Sequence, residues 1–280
     1  MAVIAGVENK GLFKSIPRIE DVLVEGMSFG VFEDGDRLVG NKTGKYTVLY
    51  FKKNIQRGFQ VLLERGGVYV KMQLPTSDEE IRAFFAYIRF LCGKLHTDSF
   101  ICYDRQCSLD DIDELIKAVT DDSVQTLWDI RKKIDTDECR SLYISCARNP
   151  IALGKREMKE INGDLESLGR LMHRLQSMEA YYAVPAVYRL DSGSTLGIYM
   201  LSEDTDSVFP LVPGDGMFLR EKPDLWKVIL SIGGEQAGIV DFDDLIAETE
   251  AAGIYDDRRV ILRLSADEIT NLIEKHGTTL

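Results

Sequence analysis

Val68-Tyr69-Val70-Lys71-Met72-Gln73-Leu74-Pro75-Thr76-Ser77-Asp78-Glu79-Glu80-Ile81 carries the chain from a strand into a helix. Val68, Val70, Met72 and Leu74 fall on one side of an extended segment, and Pro75 ends it. Ser77 is placed to accept a hydrogen bond from an orphan amide of the first helical turn. An acid three residues later can return that bond and suits the positive end of the helix dipole. Ile81, Phe84, Phe85, Ile88, Leu91, Cys92 and Leu95 then recur at helical spacing. The same phrase recurs at Ser108-Leu109-Asp110-Asp111-Ile112, Asp241-Phe242-Asp243-Asp244-Leu245 and Ser265-Ala266-Asp267-Glu268-Ile269. Each copy follows an apolar stretch and opens helix-spaced hydrophobics, so capped helices laid on strands organise the chain.

Upstream, Tyr46-Thr47-Val48-Leu49-Tyr50-Phe51 is β-branched and aromatic, Phe59-Gln60-Val61-Leu62-Leu63 follows a polar break, and Arg65-Gly66-Gly67 supplies a tight turn. Residues 46–74 therefore read as an antiparallel meander. Downstream, Ser99–Tyr103 reads as a strand, and Ser108 opens a second helix with Ile112, Leu115, Ile116 and Val119 inward. Near the C-terminus come a strand over 225–230, a Gly233-Gly234 turn and a returning strand over 237–240. A helix capped by Asp241 and ending near Gly253 follows, then a strand over 260–264 and a last helix stopping at His276-Gly277. Residues 59–120 and 225–276 thus share a ββαβα order, which we read as an internal duplication; short generic elements can also coincide in this way. Between them, 156–178 reads as one helix despite Gly163 and Gly169, and 181–190 and 196–201 read as strands. Residues 202–224 read as the longest loop. The acidic break Asp135-Thr136-Asp137-Glu138 suggests two halves, 1–136 and 137–280.

The 280 residues are 45% hydrophobic and 29% charged, the balance of a folded globular chain. No apolar run approaches the roughly 18 residues of a membrane span. The apolar start Met1–Val7 is interrupted by Glu8-Asn9-Lys10, so a secretory leader is not expected. With 46 acids against 34 Lys plus Arg, the net charge is -12, which disfavours nucleic acid and anionic membrane surfaces. Five cysteines, Cys92, Cys102, Cys107, Cys139 and Cys146, argue for reduced thiols and a cytoplasmic location.

Candidate chemistry is sparse. Gly26-Met27-Ser28-Phe29-Gly30 matches the hydrolase elbow, but the residues after Ser28 read as strand and turn where the elbow needs a helix. His96 and His276 fall near helix ends and His173 within a helix. Cys92, His96, Cys102 and Cys107 could ligate zinc, yet they lack the close thiolate pairs of structural sites, so core packing is the expected role. The acid clusters Glu33-Asp34-Gly35-Asp36 and Glu203-Asp204-Thr205-Asp206 sit in turns and do not match a calcium loop. Trp128, Trp226 and Tyr181-Tyr182 are expected to fill the core; exposed, they would be interface anchors.

Asp224-Leu225-Trp226-Lys227-Val228-Ile229-Leu230 with Gly238-Ile239-Val240-Asp241-Phe242-Asp243-Asp244-Leu245-Ile246 resembles the C-terminal part of a bacterial family. It is the uncharacterised domain-of-unknown-function family numbered four-two-nine-nine. Leu201-Ser202-Glu203-Asp204 before Phe209-Pro210 is similar as well. The resemblance implies a bacterial, cytoplasmic protein and carries over no functional residues.

The expected fold is α+β, with antiparallel sheets covered by capped amphipathic helices. The expected function is a non-catalytic module binding a protein or small ligand at the cleft between the halves, with no catalytic residue, cofactor or metal assigned. The alternative is a hydrolase using Ser28, or a metal-dependent enzyme using the loop acids.

Overall fold

A computed structural model describes residues 1–9, 15–33, 37–215 and 222–277. The protein is α+β and divides into two compact units, Met1–Ser177 and Met178–Leu280. The chain parts at 177/178 rather than at 136/137: the acidic break ends a helix, and the elements after it belong to the first unit.

The first unit contains β1 (Ala2–Glu8), β2 (Met27–Glu33), β3 (Arg37–Gly40), β4 (Thr47–Phe51), β5 (Asn54–Glu64) and β6 (Gly67–Gln73). Then come α1 (Asp78–Lys94), β7 (Ser99–Cys102), β8 (Arg105–Ser108), α2 (Ile112–Asp135), β9 (Leu142–Ile144), β10 (Ile151–Leu153), α3 (Lys155–Ile161) and α4 (Leu165–Gln176). Eight strands form one antiparallel sheet in the order β3-β2-β4-β5-β6-β1-β7-β8, while β9 and β10 pair separately. The meander is β4, β5 and β6, as the alternation implies. The apolar start of the chain is a strand: Val3, Ala5 and Val7 alternate inward, and β1 pairs with both β6 and β7.

α1 buries the expected stripe Ile81, Phe84, Phe85, Ile88, Leu91 and Cys92, with Tyr87 added. Phe84 meets Phe59 of β5 edge-on at 5.4 Å, and the Tyr87 hydroxyl donates to the Val22 carbonyl at 2.9 Å. Burying each such side chain contributes about 2 kcal/mol. The single helix expected over 156–178 is two helices. Asn162 and Gly163 take φ of 50° and 76°, and the Asp164 carboxylate accepts from the Glu166 and Ser167 amides to start α4 afresh.

The second unit contains β11 (Tyr181–Tyr182), β12 (Ala186–Arg189), β13 (Thr195–Ser202), β14 (Ser207–Pro210), β15 (Leu225–Ile232) and β16 (Glu235–Asp241). α5 (Phe242–Glu248), β17 (Gly253–Asp256), β18 (Arg259–Leu262) and α6 (Ala266–His276) complete it. Its two four-stranded sheets run β11-β14-β18-β17 and β12-β13-β15-β16, and the β11–β14 and β13–β15 pairs are parallel. The long loop expected over 202–224 contains β14, which is wholly buried and pairs with β18. Pro185 divides the strand expected over 181–190 into β11 and β12, and α5 ends earlier than its pattern suggests. Tyr199, Phe209 and Phe242 form the aromatic centre, with ring centroids 5.1–5.7 Å apart. Among the described helices, none is long and apolar enough to cross a membrane.

The order ββαββα occurs twice, as β5–α2 and β15–α6, each with one strand more than the sequence pattern shows. Sheet membership differs between them, so the duplication rests on element order alone.

Candidate functional site

The densest gathering of buried polar groups in the first unit begins at an irregularity of β5. β4 and β5 are in register at Leu49–Phe59 and again at Phe51–Asn54. Residues 55–58 therefore bulge from the ladder opposite Tyr50. Gly58 makes the turn possible: its φ is +72°, and a Cβ there would lie 2.6 Å from the Leu49 carbonyl oxygen. Four main-chain groups of the bulge find partners from other parts of the unit. The Ile55 amide donates to Nδ1 of His173 on α4 at 3.1 Å, and the Gln56 carbonyl accepts from the Ala147 amide at 2.8 Å. The consecutive amides of Arg57 and Gly58 donate to Oε2 and Oε1 of Glu80 at 3.3 and 2.8 Å.

Glu80 stands three residues after the α1 cap, where the sequence suggests that it returns a bond to Ser77. Only half of that exchange occurs. Ser77 Oγ accepts from the Glu80 amide at 3.2 Å and donates to Gln56 Oε1 at 2.6 Å. The Glu80 carboxylate turns to the bulge instead, and accepts a third bond from the Thr76 hydroxyl. Ser123 of α2 fastens the same turn, since its hydroxyl accepts from the Thr76 amide at 2.8 Å and donates to the Thr76 carbonyl at 2.7 Å. Gly169 lets α4 approach; a Cβ there would stand 2.9 Å from Ser77 Cβ.

Two backbone carbonyls hold the Arg57 side chain: Nε donates to Ser145 O at 2.9 Å and Nη1 to Pro75 O at 3.0 Å. Burial lowers the Arg57 pKa. Burial likewise pushes the Glu80 carboxyl above its ordinary range, against three donors that favour its charged form. The neighbouring Cys146 thiol is pushed up to about 12. The arrangement can hold charge and pin α1, α2, α4 and β5 together.

The candidates read from sequence are dispersed. Ser28 lies within β2 opposite Tyr50, and strand continues through Glu33, so the strand–turn–helix setting of a nucleophile elbow does not exist there. Cys92, Cys102 and Cys107 are buried in the first unit's core, while His96 is exposed. Among the described residues no three His, Cys, Asp or Glu side chains converge as a metal set. In the acid cluster Glu33–Asp36, Glu33 ends β2 and residues 34–36 fall outside the described residues. In the other acid cluster, Glu203 accepts from the Gly233 amide at 2.6 Å, and Arg263 faces Asp204 and Asp206 at 3.8 and 3.6 Å. Trp226 packs on Tyr199 with centroids 5.8 Å apart. Tyr181 is exposed at a strand edge.

Trp128 departs from the expected core role. It is 50% exposed on α2 and lines a hollow of about 440 Å³ with Gln125, Asp129, Arg131, Lys132 and Asp135. The Arg131 guanidinium sits 5.4 Å from its ring centroid, and the ring edge rests over Gly163, where a Cβ would be 3.4 Å away. Gln56, Arg57, Thr76 and Ser123, by contrast, went unremarked in the sequence. The one signal for them is the polar break Asn54-Ile55-Gln56-Arg57-Gly58, whose glycine within a strand pattern marks a bulge.

Fold and site together define a two-unit α+β protein whose best-built polar cluster is an internal fastening. Residues 7–272 match the model of the domain of unknown function DUF4299, and the chain belongs to that family. The match reaches well beyond the C-terminal third that carries the visible resemblance. No curated protein and no solved structure matches the chain.

Proposed function

We propose that the protein is a non-catalytic binding module of the bacterial cytoplasm, and that Trp128 anchors a protein partner. The half-exposed indole carries this reading. Tryptophan contributes disproportionately at protein interfaces, and this ring is held in place by Arg131 and Gly163 before any partner arrives. Fixing the ring in advance reduces the entropy cost of association. The hollow mixes Arg131 and Lys132 with Asp129 and Asp135, and the net charge is -12; both favour a protein over nucleic acid or an anionic membrane. All five cysteines are unpaired, and Cys92, Cys102, Cys107 and Cys146 are buried, in keeping with a reducing compartment.

The test is affinity capture with the wild-type chain and with Trp128→Ala, both verified as folded by circular dichroism. A partner retained by wild type and lost from Trp128→Ala supports the proposal. Turnover of an ester or phosphoester that disappears in Ser28→Ala, or tight stoichiometric metal in the purified protein, overturns it in favour of an enzyme.

A further inference from the structure

Asn162-Gly163 is the one Asn-Gly pair in the chain: the other five asparagines, Asn9, Asn41, Asn54, Asn149 and Asn271, precede Lys, Lys, Ile, Pro and Leu. The pair forms the joint between α3 and α4. Asn162 is exposed, with φ of 50° and ψ of 30°, and its main-chain amide donates to the Met158 carbonyl at 3.0 Å. Neither its carboxamide nor the Gly163 amide makes a hydrogen bond among the described residues. An asparagine carboxamide is an electrophile for the main-chain nitrogen of the residue that follows. A side chain on that residue hinders the approach, and a hydrogen bond from its N–H has to be broken first; Gly163 imposes neither cost. The same glycine lies against Trp128, where a Cβ would stand 3.4 Å from ring atom Cζ2.

We propose that Asn162 is a self-modification site that remodels the joint beneath Trp128. The Gly163 nitrogen, on losing its proton, attacks Cγ of Asn162. The N–Cγ bond forms, the Cγ–Nδ2 bond breaks, and Nδ2 leaves as ammonia. Water then opens the cyclic imide, at Cγ to give aspartate or at the main-chain carbonyl carbon to give isoaspartate; nothing is oxidised or reduced. Either product carries a new carboxylate, and isoaspartate also lengthens the main chain by one methylene directly before Gly163. The joint is held by the Asn162–Met158 bond and by positive φ at both residues. An added methylene there moves Gly163 away from the indole, and the ring loses its preset position as the protein ages. That consequence rests on the reading of Trp128 as an anchor, whereas the chemistry at Asn162 does not.

The test ages the full-length chain at neutral and at mildly alkaline pH and follows each asparagine by peptide mass spectrometry, with fragmentation that separates isoaspartate from aspartate. Asn41 is the internal control, since it also takes a positive φ, 58°, but precedes lysine. Conversion of Asn162 several-fold faster than Asn41, and faster in alkali, supports the proposal. An Asn162 that stays intact, or converts no faster than Asn41, overturns it. In parallel, Trp128 emission is followed in a Trp226→Phe background, which leaves one indole in the chain. A drift that keeps pace with conversion, and is absent once Asn162→Gly is added, supports the link to Trp128. Asn162→Gly keeps the left-handed turn and removes the carboxamide. Conversion without that drift overturns the link. If the Trp226→Phe background does not fold, wild type and Asn162→Gly are compared directly by the same criterion. Neither readout involves a partner, so this proposal and the anchor role of Trp128 fail separately.

Discussion

From β5 to α2 and from β15 to α6 the chain follows one order: hairpin, capped helix, hairpin, capped helix. In the first region all four strands lie in the eight-stranded sheet, with β1 inserted between β6 and β7; in the second the two hairpins lie in different sheets. The first helices differ as well, 17 residues in α1 against 7 in α5. At α1 the acid three after the cap is buried and serves the β5 bulge. At α5 the cap residue Asp241 makes no side-chain cap bond and instead meets Lys227 at 2.8 Å. The second helices of both regions are entered through exposed caps: Ser265 and Glu268 bond reciprocally, and the Asp111 carboxylate accepts from the Ser108 amide and hydroxyl at 2.6 and 3.0 Å. At Ser108 and Ser265, where solvent surrounds the helix start, the acid three residues on bonds back to the cap residue. Where a bulge offers desolvated amides, those amides take it, since leaving them unpaired costs more than a surface cap contributes.

Glu80→Ala gives the widest separation between the regions. It strands two buried amides and a hydroxyl, so we expect a loss of about 4 kcal/mol in urea unfolding. Asp244→Ala, at the matching position of α5, changes stability by about 0.5 kcal/mol or less. Equal losses would erase the distinction. The pH dependence has a definite sign. Because burial raises the Glu80 value above its ordinary 4.5, the folded chain keeps a proton that the unfolded chain releases. This contribution is full below pH 4.5 and is lost as pH rises through the folded value. The stability of wild type relative to Glu80→Gln therefore falls with rising pH across that window.

The fold was legible where hydrophobic period and punctuation agree. The 68–95 stretch predicts β6, Pro75 and α1 because alternation gives way to helical spacing within a few residues. β1 escaped because an apolar chain start looks the same whether or not a sheet edge awaits it, and β14 because four buried residues among turns carry too short a pattern. The α3–α4 break was signalled by Gly163, and Asp164 supplies the new cap that a hydrophobic pattern cannot show. At the site, Ser77 and Glu80 were visible as cap residues but not as partners of Gln56, Arg57 and Gly58. Those contacts join residues more than twenty positions apart, and one-dimensional spacing carries no information about them. Trp128 was misassigned to the core because an aromatic within a long helix has the same sequence signature on either face.

Asp256→Ala tests the contrast between the two buried arginines. Arg259 and Asp256 have side-chain exposures of 4% and 0%, and Arg259 also lies 5.0 Å over the Tyr182 ring. Removing the carboxylate leaves a desolvated guanidinium, with an expected loss of about 3 kcal/mol in thermal unfolding. Hydrogen exchange should show the loss concentrated in β17 and β18. A neutral result would mean that a buried guanidinium is tolerated here without its carboxylate.

The smallest effect concerns the exposed caps. Ser265→Ala and Ser108→Ala should each cost about 1 kcal/mol. The Glu268 value is depressed by the Ser265 amide and hydroxyl, at 2.8 and 2.7 Å. A depressed carboxylate stabilises the fold above its ordinary 4.5, and that stabilisation is lost as pH falls through the folded value. In Ser265→Ala the hydroxyl's part of that loss is absent, so the acid limb of the stability profile becomes shallower. Ser77→Ala should cost more than either surface cap, because it also removes the bond to buried Gln56. If all three serines prove equivalent, depth in the fold does not decide what a helix-opening residue is worth, and the contrast between the two regions reduces to sheet connectivity.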